Sequence, residues 1–184
     1  MQPSDGPALS LSEWLVLCLI CEKPTHGNAI AGLLGQGGGL SQVWRVHRSV
    51  IYLSVKRLEQ FGLVRTIGTQ PATKGPARVF VDATSAGRAA AVAWLGTPVA
   101  HARDVRSELL VKLALLDRAG YDPQGLLAAQ RTQLVPVASA LRSRLEAASG
   151  PERKVVLWRV ETISAIIRFL DELLGGPQQS ESSA

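Results

Sequence analysis

Cysteine is nearly missing from this sequence: Cys18 and Cys21 are the only two among 184 residues. That is too few for the disulfide framework of a small secreted domain. Long apolar runs are missing as well. The longest, WLVLCLIC at 14–21, falls far short of the ~20 residues that a membrane-spanning helix needs. No basic stretch followed by an apolar segment and a small-residue cleavage site opens the chain, so a cytoplasmic protein with no membrane association is expected. The sequence also lacks the signatures of catalysis. There is no phosphate-binding GxxxxGK, no nucleophile elbow and no carboxylate pair at a recognisable spacing. The glycine run GQGGG at 35–39 is no dinucleotide fingerprint, because Leu40 stands where the third glycine belongs and no strand-like stretch precedes it. His26, His47 and His101 are scattered and the cysteines have no nearby partner, so neither a metal nor another cofactor is expected. An enzyme has no positive signal here.

What is present is apolar mass and unevenly placed charge. With 46% hydrophobic residues the chain can bury a core, as one domain or two small ones. The net charge is +5, yet residues 43–88 alone carry eight basic groups (Arg45, Arg48, Lys56, Arg57, Arg65, Lys74, Arg78, Arg88) against Glu59 and Asp82, a net of +6. Residues 1–42 sum to −2 and 89–184 to +1. The middle quarter therefore supplies the whole positive excess, which suits a polyanionic partner, and an ordinary solvated surface equally.

Read for periodicity, the chain begins with helices. Ser10 or Ser12 can cap a first helix running through EWLVLCLICE to Pro24, apolar on every side and hence central. Thr25 or His26 opens a short second helix, GNAIAGLL, which dissolves in the glycine run, a flexible loop. A third helix lies within HRSVIYLSVKRLEQFGLV at 47–64. Advancing ~100° per residue from Ile51 puts Val55 and Leu58 within about 40° of it, with Phe61 on the same apolar stripe, and gathers Ser49, Tyr52, Leu53 and Lys56 opposite. One side packs and the other is free to read a partner. Two short strands follow, LVRTI and RVFV, joined by GTQPATKGPA, and Thr84 caps the next helix, which runs to Gly96 before Pro98. Three helices, a basic two-stranded wing and a further helix describe a winged helix-turn-helix domain over 9–97, whose third helix enters a major groove while the wing follows the backbone or minor groove.

From about Asp104 the pattern is entirely helical. A helix covers SELLVKLALLDRAG, a long one runs from Asp122 to Ala148 with an interruption at Pro136, and a last one spans Glu152 to Leu174. In the last, Val156, Val160, Ile163, Ile167, Leu170 and Leu174 alternate in spacings of four and three, a coiled-coil-like seam. Trp158, Ile166, Phe169 and Leu173 form a second stripe beside it. The seam is read as the homodimer contact of an all-helical domain at 103–174, against the alternative of a bundle packing only on itself. The polar end, 175–184, reads as a disordered tail. The fold class is thus mainly α with a small two-stranded β-wing.

Several of these segments together resemble the PadR-like transcriptional regulators, over about residues 9–174. LSEWLVLCLI resembles that family's opening helix and THGNAIAGLL its His-Gly segment, here His26 and Gly27. SVIYLSVKRLEQFGLV is similar to its recognition helix, with Tyr52, Leu58, Glu59, Gly62 and Leu63 at matching positions. KGPARVFVDATSAGR resembles its wing through Gly75, Arg78, Phe80, Thr84 and Gly87, and ELLVKLALL with the last helix resembles its dimerisation module. The resemblance implies a homodimeric repressor on a palindromic double-stranded operator, released by a small molecule or other signal. Three departures stand out: Asn28 replaces the aromatic after His-Gly, His47 the capping serine of the recognition helix, and Leu53 the proline that often follows the tyrosine.

The DNA-binding residues expected from these readings are Arg48, Ser49, Tyr52, Leu53, Lys56, Arg65, Lys74 and Arg78. Lys56 and Arg48 would neutralise phosphates. Tyr52 either donates its hydroxyl to a phosphate, as its matching position implies, or seals the helix against the wing. Leu53 either meets a thymine methyl or lies beneath a loop, and Ser49 is short enough for a base or a phosphate. Lys74 and Arg78 flank the Gly75-Pro76 pair of the wing, where an arginine can read a narrow minor groove. Trp94, with Trp14 nearby, is a possible pocket for a small aromatic effector, against the plainer role of core tryptophans. Two other functions compete: a winged-helix scaffold that binds protein, and a regulator switched through the Cys18 and Cys21 thiols.

Overall fold

The computed structural model describes residues 8–71 and 77–175. Its contacts divide the chain into two units. Among these residues one unit takes 8–71 and 77–95 together with Leu110–Tyr121, and the other takes Gly96–Leu109 and 122–175; the expected disordered tail, beyond residue 175, lies outside the described residues.

The first unit is built around α1 (Leu11–Glu22). Ser10 caps it with a reciprocal box: the Glu13 amide donates to Ser10 Oγ at 3.4 Å, and Glu13 Oε2 accepts from the Ser10 amide at 2.7 Å. Every residue from Leu15 to Ile20 is buried, as the all-round apolar pattern requires of a central helix. His26 is the cap of α2 (Gly27–Leu34), its Nδ1 accepting from the Ala29 amide at 3.2 Å. The glycine run forms a loop, but an anchored one. The Gly35 amide donates to Ala31, Ser41 Oγ donates to the Gly38 carbonyl at 2.6 Å, and Leu40 and Val46 are buried in the core.

Helix α3 (Arg48–Gln60) buries Ile51, Ser54 and Leu58. Two positions differ from the periodic expectation. Phe61, one residue beyond the helix, is 41% exposed and lies under the Arg57 guanidinium at 5.4 Å, while the small Ser54 takes the buried position one turn before Leu58.

Strands β2 (Val64–Gln70) and β3 (Arg78–Ala83) pair antiparallel, with Arg65 opposite Asp82 and Gln70 opposite Arg78. Ile67 is the extra residue of a bulge between Thr66 and Gly68. The sheet has three strands, not two: β1 (Thr25–His26) adds to the far edge of β3, in the order β1-β3-β2. A two-residue strand carries too little alternation to be seen in sequence. Thr84 caps α4 (Ser85–Gly96), accepting from the Gly87 amide at 3.1 Å and donating to the Gly62 carbonyl at 2.7 Å.

The helix expected at SELLVKLALLDRAG is broken into α5 (Ala102–Asp104), a π-helical turn (Val105–Leu109) and α6 (Leu110–Ala119). Val111 and Leu115 of α6 belong to the same core as Leu15, Leu17 and Ile51. For that reason residues 110–121 group with the winged-helix unit, a division unlike the one placed at 103 from sequence.

The second unit is an antiparallel pair, α7 (Gln124–Ala147) and α8 (Gly150–Gly175), crossed by the ion pairs Arg131–Asp171 and Arg144–Glu152. Pro136 lies inside α7 without ending it. Proline removes one backbone donor, and the buried Leu134 and Ala138 on either side hold the helix together across that gap. Gln130, fully buried on α7, accepts from the Val99 amide at 2.7 Å and donates to the Val99 carbonyl at 3.1 Å. This pairing satisfies both ends of the amide side chain in the interior.

Candidate nucleic-acid interface

Thirteen residues make α3 about 20 Å long, and its outer face is open. Arg48, Ser49, Tyr52, Leu53 and Lys56 are all exposed, Tyr52 by 45% and Leu53 by 62%. No loop of the described chain covers Leu53. On the wing, Arg65 in β2 and Arg78 at the start of β3 are exposed, while Lys74 lies outside the described residues.

Of the eight basic residues of this region, Arg48 donates to Asn28 and Lys74 lies outside the described residues; the other six fall into two groups. Arg57 pairs with the buried Glu13 at 3.1 Å, linking α3 to the capping box of α1. Arg88 pairs with Asp82 at 2.7 Å and donates to the Cys21 carbonyl at 2.7 Å. Those two guanidinium groups hold the fold. Arg45, Lys56, Arg65 and Arg78 have no acidic partner among the described residues, and all four are exposed. Glu59 is the acidic side chain of α3, and it is turned to the sheet, accepting from the Thr66 amide at 3.1 Å and the Thr66 hydroxyl at 2.9 Å. An α3–wing surface carrying unpaired cations is what remains. Arg45, in the loop before α3, belongs to it by exposure, although only the charge count had pointed to it.

Tyr52 is held by α2, not by the wing. A Cβ placed on Gly27 would come within 2.7 Å of Tyr52 Cε1, so only glycine at 27 lets the ring lie there. The Tyr52 hydroxyl donates to Asn28 Oδ1 at 2.7 Å, and Arg48 Nη2 donates to the same oxygen. The Arg48 guanidinium stands 5.9 Å from the centre of the Tyr52 ring. His47 gives α3 no side-chain cap, unlike His26 at the start of α2.

Trp14 and Trp94 stack on each other, ring centres 5.2 Å apart and planes 5° from parallel. A flat ligand cannot lie between rings this close. Lys112, buried, places Nζ 4.7 Å from the centre of the Trp94 ring. The neighbouring crevice lined by Leu15, Leu40, Val43, Trp44, Val111 and Ala114 is too narrow to admit a water molecule. The two tryptophans are therefore packed core residues in this conformation.

Burial pushes the Cys18 thiol far above its ordinary range. Burial also raises Cys21, to about 11, with Arg88 opposing and Asp82 adding to the shift. Burial thus favours the neutral form of both thiols, the less reactive one.

On α8, Val156, Val160, Ile163 and Leu170 of the expected dimer seam are buried within the single chain, with Ile167 and Leu174 partly so. Helix α7 takes up that seam. Of the second stripe, Trp158 is 73% exposed and Phe169 and Leu173 are exposed, with Val155 exposed beside them, while Ile166 is partly buried.

No protein-family model and no curated protein sequence matches the chain. Among solved structures it is similar to Bacillus subtilis PadR in complex with operator DNA, at 18% identity over 92% of this chain and 98% of that one, with a TM-score of 0.47. It is also similar to the same protein in complex with p-coumaric acid, at 18% identity over 90% and 98%, TM-score 0.42. A third similar structure is smu.1604c from Streptococcus mutans UA159, at 16% identity over 89% and 98%, TM-score 0.42.

Proposed function

We propose that this chain is a PadR-like, DNA-binding transcriptional regulator that acts as a homodimer on a palindromic operator. The observation that carries the reading is the α3–wing surface. Exposed Lys56 and Arg45 around the outer face of α3, with Arg65 and Arg78 on the wing, are cations that no acidic group of the described chain neutralises. Polyphosphate is the partner such a surface suits, and an exposed α3 of this length suits a major groove. Lys74 is proposed to join Arg78 at the wing.

The second copy is proposed to meet the open stripe of α8, Val155, Trp158, Phe169 and Leu173, because α7 already occupies the seam at 156–170. A two-fold pair of recognition helices implies two half-sites about one helical turn or a multiple of it apart. Repression released by a small molecule is proposed with it. B. subtilis PadR has been solved with p-coumaric acid, and flat aromatic acids are the class to test here. Such a ligand would have to part the Trp14–Trp94 stack and sit near Lys112. An effector acts only through unequal affinity for two arrangements of the dimer.

Selection of duplexes with a randomised centre by the purified protein tests the reading. Enrichment of an inverted repeat is expected. Failure to retain any duplex in dilute buffer would overturn it, and a protein-binding scaffold would behave in that way.

A further inference from the structure

The hydrogen bonds around Asn28 fix which way the Tyr52 hydroxyl points its proton. Arg48 has five N–H donors and no acceptor, so the Asn28 atom it meets is the carbonyl oxygen and not the amide nitrogen. The orientation of that amide is thereby set by chemistry. Tyr52 Oη lies 2.7 Å from the same oxygen. Two oxygens at hydrogen-bond distance need a proton between them, and an amide oxygen has none to give. The single hydroxyl proton of Tyr52 therefore goes to Asn28, and what Oη has left is its lone pairs.

This bears on what Tyr52 can meet outside the protein. A phosphate oxygen is an acceptor, and so are guanine O6 and N7 and thymine O4 in the major groove. None of these can pair with lone pairs. The donors in that groove are the exocyclic amino groups, adenine N6 and cytosine N4. We infer that Tyr52 reads a base as an acceptor, taking a hydrogen bond from adenine N6 or cytosine N4, and that Asn28 is the positioning residue that imposes this choice. The inference rests on the DNA-binding reading above and narrows it. It replaces the expectation that Tyr52 donates to a phosphate. Arg48 keeps four N–H donors beyond the one given to Asn28, so phosphate and guanine contacts fall to it. The ring is already fixed before any partner arrives, since Gly27 lies beneath it and Asn28 holds its oxygen. A contact made by a prepositioned side chain loses less freedom on binding.

The test uses the full-length protein and duplexes selected by it from a randomised pool. Each adenine is replaced in turn by purine lacking the 6-amino group, and each cytosine by the analogue lacking the 4-amino group. At one position per half-site the wild type is expected to lose affinity by about three- to tenfold, the range of a single net hydrogen bond. Tyr52→Phe, which removes one oxygen, is expected to bind the unmodified duplex correspondingly more weakly and to ignore the analogue at that position. Asn28→Ala, which leaves Oη unpositioned and lets it donate to acceptors as well as accept, is expected to lose that discrimination with its thermal midpoint unchanged. In the Asn28→Ala background, adding Tyr52→Phe should not alter selectivity further.

Discrimination retained in full by Tyr52→Phe, or by folded Asn28→Ala, overturns the inference while leaving DNA binding intact. If Asn28→Ala does not fold, Tyr52→Phe decides alone. A wild type that retains no duplex refutes the DNA-binding reading itself, and this inference with it.

Discussion

Replacing Lys56 and Arg78 together by alanine removes two exposed cations that have no acidic partner among the described residues. In a homodimer that is four charges per complex. Each phosphate neutralised on B-DNA contributes about 0.9 to the slope of log K against log salt. The double variant is therefore expected to flatten the slope by roughly 3.6, and at about 0.1 M salt to bind some three orders of magnitude more weakly. The loss should be equal on selected and scrambled duplexes, because phosphate contacts carry no sequence information. Fluorescence anisotropy across a salt series measures it. The control is Arg88→Gln, a cation from the same stretch of sequence whose guanidinium is engaged by Asp82 and the Cys21 carbonyl. Its slope should match the wild type even if stability falls. A double variant with an unaltered slope, or an Arg88 variant with an equally flattened one, refutes the division of these charges into free and structural groups.

Trp158→Glu is expected to shift the protein from dimer to monomer in sedimentation analysis, because it puts a charge at the most exposed aromatic of α8; a dimer that survives it at micromolar concentration removes the open stripe from the reading. Gly87→Ala should destabilise the fold by about 3 kcal/mol or more, since the added Cβ would lie 2.0 Å from the Leu63 carbonyl oxygen, a backbone atom that cannot turn aside; thermal or denaturant unfolding reads the effect. Cys21, raised to about 11 by burial, is a neutral thiol at pH 7 and should alkylate slowly with iodoacetamide, the rate climbing as pH rises toward that value, and Cys18 should stay unmodified while the fold persists. Rapid alkylation of either at pH 7 contradicts the burial seen here.

How far the sequence revealed this structure depended on whether a residue's role is periodic or relational. The central α1, the cap at Thr84 and the two faces of α3 follow from spacing and side-chain chemistry, and they stand in the structure. Roles set by another element do not. The sequence shows eight cations between 43 and 88, but nothing local distinguishes Arg57, held by Glu13 from α1, from Lys56 beside it. The acidic partner lies more than forty positions away. Asn28 was visible only as a departure from the family's aromatic, and its part at the site depends on α2 and α3 meeting at Gly27. The two-residue β1 and the passage of α7 through Pro136 were hidden for the same reason: each is stabilised by a neighbour, β3 in one case and α8 in the other.

The last helix shows what a hydrophobic pattern can and cannot decide. Its two apolar stripes are too wide for one partner, and the sequence gives the coiled-coil spacing to one of them. That stripe packs against α7, because the preceding helix, joined by a short turn, reaches it at far lower entropic cost than a separate chain. The irregular stripe is left outside. Trp158, at 73% exposure, presents on the order of 150 Å² by itself. With Val155, Phe169 and Leu173 the open strip reaches roughly 400 Å², the scale at which exposed apolar patches on soluble proteins mark contact sites. Two copies would bury about 800 Å² of it, below the ~1,200 Å² of a stable standard interface. The strip alone therefore makes a weak dimer. The flanking Lys154, Glu161 and Glu172 must add area, or the operator must help by holding two copies side by side. In the second case dimerisation and DNA binding are one coupled equilibrium: Trp158→Glu would make operator occupancy depend less steeply on protein concentration and move its midpoint upward, while leaving the salt dependence per bound chain unchanged.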